Sequence, residues 1–150
     1  MRKSFLLITF LFLTNLIFAQ DFDFKLIDKL TKISFVSIDE LMVEGYGFEK
    51  LEKKSEERKR TYARYYDGDF NNTIIISVLN PKDTPNVLDI SVAKNYDIRK
   101  IKDELLKLDY EYNGSNEYGF VIYKNEKTAF LISKEPNKAG ATQIMVITEW

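Results

Sequence analysis

Apolar and polar residues alternate with a period of two in the segments 73–79 and 87–93, and this alternation limits what the chain can fold into. The apolar positions are Ile74, Ile76 and Val78 in the first segment and Leu88, Ile90 and Val92 in the second. Successive side chains of a β-strand point to opposite faces, so the pattern predicts strands with one face in the core. Antiparallel sheets are the sheets that tolerate a second, uncovered face.

Turn-forming sequences delimit further segments of this kind and divide them into two groups of four. The first group of predicted strands lies near 46–53, 59–66, 73–79 and 87–93. The second group lies near 109–113, 118–124, 127–133 and 142–149. We therefore predict an antiparallel sheet of about eight strands.

A helical period precedes each group of strands. Apolar residues recur at helical spacing over 23–33 and again over 97–108, where Asn95 or Asp97 is available as a cap. The sequence Ser37-Ile38-Asp39-Glu40 has the form of a capping box and predicts a short additional helix. The predicted fold class is α+β, with the helices on one face of the sheet.

The two groups share one order of elements, a helix followed by four strands. Asp39, Glu40, Leu41, Tyr46 and Phe48 are matched 64 residues later by Asp103, Glu104, Leu105, Tyr110 and Tyr112. This echo and the shared order predict a tandem duplication, with half-repeats 20–94 and 95–150. The order resembles the β-lactamase-inhibitor-protein architecture, in which two such units present a concave face to an enzyme. That resemblance implies a protein-binding face on the sheet.

The first residues have the three parts of a secretory signal. Arg2 and Lys3 supply a positive start, an apolar stretch follows over 5–18, and the small residue Ala19 closes it. The stretch is too short and too interrupted for a membrane span, which needs about 20 apolar residues. We predict a signal peptide over 1–19, a single domain over 20–150, and a periplasmic or extracellular location.

The charge of the chain argues against nucleic acid as a partner. The sequence has 22 basic and 23 acidic residues, and loss of Arg2 and Lys3 leaves 20 basic residues and a net charge of −3. A nucleic-acid-binding domain carries a basic excess, which is missing here. The 131 residues that follow Ala19 are enough to bury a sizeable core without disulfides.

The chain contains no histidine and no cysteine, which excludes several kinds of chemistry. Serine and cysteine triads with histidine are impossible, and the usual zinc, copper and haem ligands are missing. The segment 67–71 begins like a calcium loop, but Asn72 and Val78 occupy the positions that require glycine and glutamate. We predict a hairpin turn there, and no catalytic residue, metal site or cofactor.

The predicted strand 59–66 supplies the candidate binding residues, which are Arg60, Tyr62, Arg64 and Tyr66. Period two places them on one face, opposite the small residues Thr61 and Ala63, which suit the side where helices pack. We therefore expect the Arg/Tyr face to meet solvent. Tyrosine and arginine dominate binding hot spots, although arginines resting on tyrosine rings also occur on ordinary outer faces.

The leading hypothesis is a non-catalytic exported domain that binds a protein or peptide through the outer face of its sheet. Three points are left open: the identity of the partner, the role of the domain as inhibitor, immunity-like protein or envelope adaptor, and the oligomeric state. If the Arg/Tyr face is not involved, the strands around Tyr118, Phe120 and Tyr123 are the next candidates.

Two rival functions use other features. A small-molecule or lipid carrier would explain why Phe120 and Ile122 on one face of a strand, and Val121 and Tyr123 on the other, are all apolar. Such a carrier requires an internal cavity of several hundred Å³. A hydrolase or lyase would need two close carboxylates, such as Asp67 and Asp69.

Overall fold

A computed structural model describes residues 22–65, 68–82 and 84–148. The predicted signal over 1–19 and the candidate residue Tyr66 lie outside these ranges. The described residues contain two α-helices, α1 (Phe24–Lys32) and α2 (Ile98–Lys107), each preceding a run of four strands. No helix within these ranges is both long enough and apolar enough to cross a membrane.

All eight strands belong to one antiparallel sheet with the order β1-β2-β3-β4-β8-β7-β6-β5. The strands are β1 (Glu49–Lys50), β2 (Lys59–Tyr65), β3 (Thr73–Leu79), β4 (Val87–Val92), β5 (Glu111–Ser115), β6 (Phe120–Lys124), β7 (Thr128–Ser133) and β8 (Thr142–Thr148). The last strands of the two runs, β4 and β8, therefore meet at the centre. The predicted α+β fold is confirmed, whereas the tandem duplication stays a prediction.

One face of the sheet packs against the helices and forms the core. Four isoleucines stand in one row across the central strands, and none is exposed: Ile76, Ile90, Ile144 and Ile132. The buried apolar residues of α1 and α2 belong to the same cluster. Each buried aliphatic side chain contributes roughly 1.5–3 kcal/mol. We call this side the covered face.

Side-chain caps fix the positions of the helices. The carboxylate of Asp23 accepts the backbone N–H of Leu26 at the start of α1 (3.0 Å), and Asp97 accepts that of Arg99 at the start of α2 (3.0 Å). Buried Asn86 donates its amide to the carbonyl of Leu30 at 2.8 Å. The carbonyl of Leu30 lies in the last turn of α1, where carbonyls have no partner within the helix. The hydrogen bond from Asn86 therefore connects the end of α1 to the start of β4.

The segment between α1 and β1 differs from its prediction. Ser37 ends a 3₁₀ turn, and a π-helix over Glu40–Gly45 follows, without a capping hydrogen bond from a side chain. The predicted capping box is wrong because Ser37 belongs to the 3₁₀ turn itself and does not cap the helix that follows. The carboxylate of Asp39 accepts hydrogen bonds from side chains of the sheet. The first strand is also shorter than predicted, since a 3₁₀ turn over Glu52–Lys54 follows β1.

Candidate functional site

The Arg/Tyr side of β2 lies on the covered face. Arg60 is directly opposite Val78, and Tyr62 is directly opposite Ile76, both of which are core residues. Tyr62 is fully buried. The expectation that this side of β2 faces solvent is therefore wrong for Tyr62, and Arg60 and Arg64 are only partly exposed.

The covered face accepts these side chains because the segment before β1 supplies partners for them. Asp39 accepts a hydrogen bond from the hydroxyl of Tyr62 (2.5 Å) and forms an ion pair with the guanidinium of Arg60. Lys50 Nζ lies 3.3 Å from the same carboxylate. We call Asp39, Lys50, Arg60 and Tyr62 the Asp39 cluster.

Aromatic rings complete the surroundings of the two arginines. The guanidinium of Arg60 lies 5.0 Å from the ring centre of Phe35, and that of Arg64 lies 5.6 Å from the ring centre of Phe48. An arginine over a ring keeps its charge near solvent while its stem covers apolar surface. This explains why period two alone assigned the wrong face.

The electrostatics of the Asp39 cluster indicate a structural clamp. Burial acts to raise the pKa of Asp39, but the hydrogen bonds from Tyr62 and Lys50 and the charge of Arg60 lower it overall. Burial, and then the hydrogen bond to Asp39, raise the pKa of Tyr62. A buried phenol that is already bonded offers little area to a partner. A binding role for Arg60, Tyr62, Arg64 and Tyr66 stays a prediction.

The other side of the sheet, which we call the open face, has its side chains aligned in rows across the strands. The row through the middle consists of Thr61, Ser77, Asp89, Met145, Leu131 and Ile122, each directly opposite the next. The row is polar on β2 and β3, where it consists of hydroxyl groups, and apolar on β8, β7 and β6.

A turn seals the β2 end of the open face. The hydroxyl of Thr61 bonds to that of Ser77 (3.0 Å) and to the carbonyl of Lys54 (3.0 Å), which belongs to the turn over Glu52–Lys54. Ser55 accepts the backbone N–H of Thr61 (3.1 Å). Thr61 and Ser77 are consequently buried. The middle of β2 is therefore covered on this face, whereas Tyr65 is 41% exposed and lies beside the exposed ring of Phe70.

The opposite end of the row remains uncovered. Met145, Leu131 and Ile122 are each partly exposed, and none belongs to the buried core cluster. Ile147 and Ala129 form a second partly exposed apolar pair beside them. Within the described ranges, the buried apolar residues of α1 and α2 belong to the core on the covered face. We call Met145, Leu131, Ile122, Ile147 and Ala129 the apolar patch.

A groove of about 450 Å³ adjoins the apolar patch. Phe120, Ser133 and Gln143 contribute to its lining from three neighbouring strands of the open face. Tyr118, which is 78% exposed, also lines it. Asn116 holds the turn that carries Tyr118, since its side-chain oxygen accepts the backbone N–H of Phe120 (3.0 Å).

No family model, curated protein or solved structure matches this chain. Function must therefore be argued from the surface itself. In the described ranges no group of three or more acidic, histidine or cysteine side chains is placed to hold a metal ion.

The apolar patch has a signal in the sequence, which also fits the lining of a carrier cavity. Phe120 and Ile122 alternate with Val121 and Tyr123, so both faces of β6 are apolar. The core takes Tyr123 and packs against Val121, which leaves Phe120 and Ile122 on the open face. Apolar residues on both faces of a strand thus indicated surface for a further layer. The sequence alone does not show whether another element of the chain supplies this layer. In the described ranges, neither α1 nor α2 does.

Proposed function

We propose that this chain is a non-catalytic binding domain that engages a protein or peptide through the open face of β8, β7 and β6. The observation that carries the proposal is the row of Met145, Leu131 and Ile122, left partly exposed while the covered face is packed. Removing apolar area from water drives association, and contiguous apolar surface marks interaction sites.

The groove beside the patch supports the same function. Tyr118 offers a large aromatic ring, of the kind that anchors binding partners. Ser133 and Gln143 place a hydroxyl and an amide in the same groove, where polar groups orient a bound segment. The surface thus combines apolar area with a few directional groups.

The two rival functions have less support. A groove of about 880 Å³ lies between α1 and β5–β6, but it is open and lined by charged groups such as Asp28, Lys32 and Glu126. A lipid or apolar carrier needs an apolar cavity instead. The carboxylate of Asp69, named for a hydrolase, accepts the backbone N–H of Asn71 (2.8 Å) and caps a turn.

The binding function is tested by changing one apolar side chain of the patch. Leu131→Gln keeps the size of the side chain and places an amide where a partner would bury it, which is unfavourable without a bonding partner. We expect recovery of the bound protein from a cell-envelope extract to fall about tenfold or more. Leu106→Gln is the matched control, because Leu106 is an exposed leucine of α2.

Both variants must melt like the unchanged protein for the comparison to hold. Equal recovery by Leu131→Gln and by the unchanged protein would contradict binding at the apolar patch. Loss of recovery by Leu106→Gln would move the binding surface to the helical side.

We further propose that the protein acts outside the cytoplasm, on the basis of the signal sequence over 1–19. Intact-mass measurement of protein recovered from the envelope or the medium tests this. The expected mass is that of a chain beginning at Gln20 or Asp21. A recovered chain that retains residues 1–19 would contradict export by cleavage.

A further inference from the structure

Asp89 places a carboxylate in the middle of the open face. It is the one ionisable side chain that β3, β4, β8 and β7 direct to this face, and all four strands are described over their whole length. Its Oδ1 accepts the amide of Gln143 at 2.9 Å. This neutral hydrogen bond orients the carboxylate without neutralising it.

The position of Asp89 couples it to the apolar patch. Met145 is directly opposite Asp89 on β8, as Ser77 is on β3. Side chains directly opposite each other in an antiparallel pair have Cβ atoms roughly 4.5–5.5 Å apart. A partner that covers Met145 therefore also covers Asp89.

The strands β3, β4, β8 and β7 themselves bring no lysine or arginine to the open face. No ion pair joins Asp89 to a lysine or arginine of the described ranges. Lys59 and Lys124 project from the same face, but they lie on β2 and β6, at least two strands from Asp89. At ~4.8 Å per strand this is about 10 Å or more. Removing an unpaired carboxylate from water is strongly unfavourable.

We infer that the polypeptide bound on the open face brings a basic side chain to Asp89 and apolar side chains to Met145, Leu131 and Ile122. This inference rests on the proposed function and names the chemistry of the partner. An arginine suits the site well, because its planar group can donate two hydrogen bonds to one carboxylate. Asp89 also disfavours partners that present an acidic group at this point.

Selection of peptides from a random displayed library on the purified protein tests the inference. Peptides that bind the unchanged protein should share a basic residue flanked by apolar ones. Asp89→Asn retains an oxygen for Gln143 but removes the charge, and it should weaken these peptides at least about thirtyfold, the usual loss at a hot spot. A selection on Asp89→Lys should instead enrich an acidic residue at the same position.

Two variants separate the possible results. Asp103→Asn removes an exposed carboxylate from α2 and should leave the affinities unchanged. Peptides that need Leu131 but bind Asp89→Asn equally well would overturn the inference and leave the proposed function standing. Peptides that are indifferent to Leu131→Gln would contradict the proposed function itself. If the unchanged protein self-associates and Leu131→Gln does not, the open face binds a second copy of this chain. That result would also overturn the inference.

Discussion

The two halves of the sheet are alike on the covered face and different on the open face. On the covered face, Ile76 of β3 and Ile144 of β8 are both fully buried. On the open face, Thr61 of β2 is sealed by the turn over Glu52–Lys54, whereas Leu131 of β7 remains partly exposed. The same order of elements therefore produces one half with a covered middle row and one half with a partly exposed middle row, although Ile75 and Leu79 of β3 are also partly exposed on the open face.

This difference shows which forces determine each side. The covered face in both halves follows from burial of aliphatic side chains, which any amphipathic strand provides. The first half needs polar connections as well, because β2 carries Arg60 and Tyr62 toward the core and relies on Asp39 to bond them. The second half carries a continuous row of apolar side chains on the open face, and our proposal assigns the binding function to it.

The largest expected effect tests whether the covered face is equally important for stability in both halves of the sheet. Ile76→Ala and Ile144→Ala should each destabilise the protein by about 2–5 kcal/mol, since both side chains are fully buried. Ile75→Ala and Met145→Ala on the open face should cost much less. Urea unfolding measures all four. A loss below about 0.5 kcal/mol for either buried isoleucine would contradict the assigned faces.

Much of this covered face can be predicted from the sequence, because it depends on local periodicity. Ile76, Ile90 and Leu105 are buried as the spacing predicts. The face of β2 cannot be read in this way, because its partners Asp39 and Phe35 lie over 20 residues away in the chain. Small residues at Thr61 and Ala63 suggested close helix packing, but Thr61 bonds a turn and a neighbouring strand instead.

The candidate site was predictable only in part, for a related reason. Apolar alternation shows that both faces of β6 avoid water, but whether a second layer covers them depends on the path of the whole chain. The row that joins Asp89 to Met145 depends on the pairing of β4 with β8, whose residues are more than 50 positions apart. Such a pairing is set by tertiary structure and leaves no local pattern.

A second, smaller effect tests the polar connection of the first half. Asp39→Asn should destabilise the protein by about 1–2 kcal/mol, the range for bonds to a charged group after discounting the 35% exposure of its side chain. Asp103→Asn is the matched control on α2 and should change stability by less than about 0.5 kcal/mol. Urea unfolding at neutral pH measures both.

The stabilisation by Asp39 should also depend on pH. Folding lowers the pKa of Asp39 below 3.8, so its contribution is present above that value and is lost as the pH falls below it. The difference in unfolding free energy between the unchanged protein and Asp39→Asn should therefore shrink as the pH falls below 3.8 and through the folded-state pKa of Asp39. A difference that stays constant until the protein unfolds in acid would show that the charge of Asp39 is not what stabilises the fold.

The smallest effect tests the passage from helix to strand, where the halves use different residues. In the first half Gly47 has a left-handed backbone (φ 67°), and in the second half Asp109 does (φ 61°). Glycine adopts this conformation without strain, whereas a residue with a Cβ pays roughly 1–2 kcal/mol, less for aspartate. Asp109→Gly should therefore stabilise the protein by about 0.5–1 kcal/mol, and Gly47→Asp should destabilise it by a similar amount.

The reciprocal pair isolates backbone strain from packing. A Cβ added at Gly47 would meet no atom within 4 Å, so a loss there is not caused by a clash of that Cβ and is expected from the left-handed conformation. The backbone bonds around Asp109 do not involve its side chain, since its N–H and that of Tyr110 donate to carbonyls at the end of α2. Both variants are compared with the unchanged protein by urea unfolding. A loss of stability in Asp109→Gly would contradict this prediction. It would mean that the carboxylate of Asp109 stabilises the second half directly.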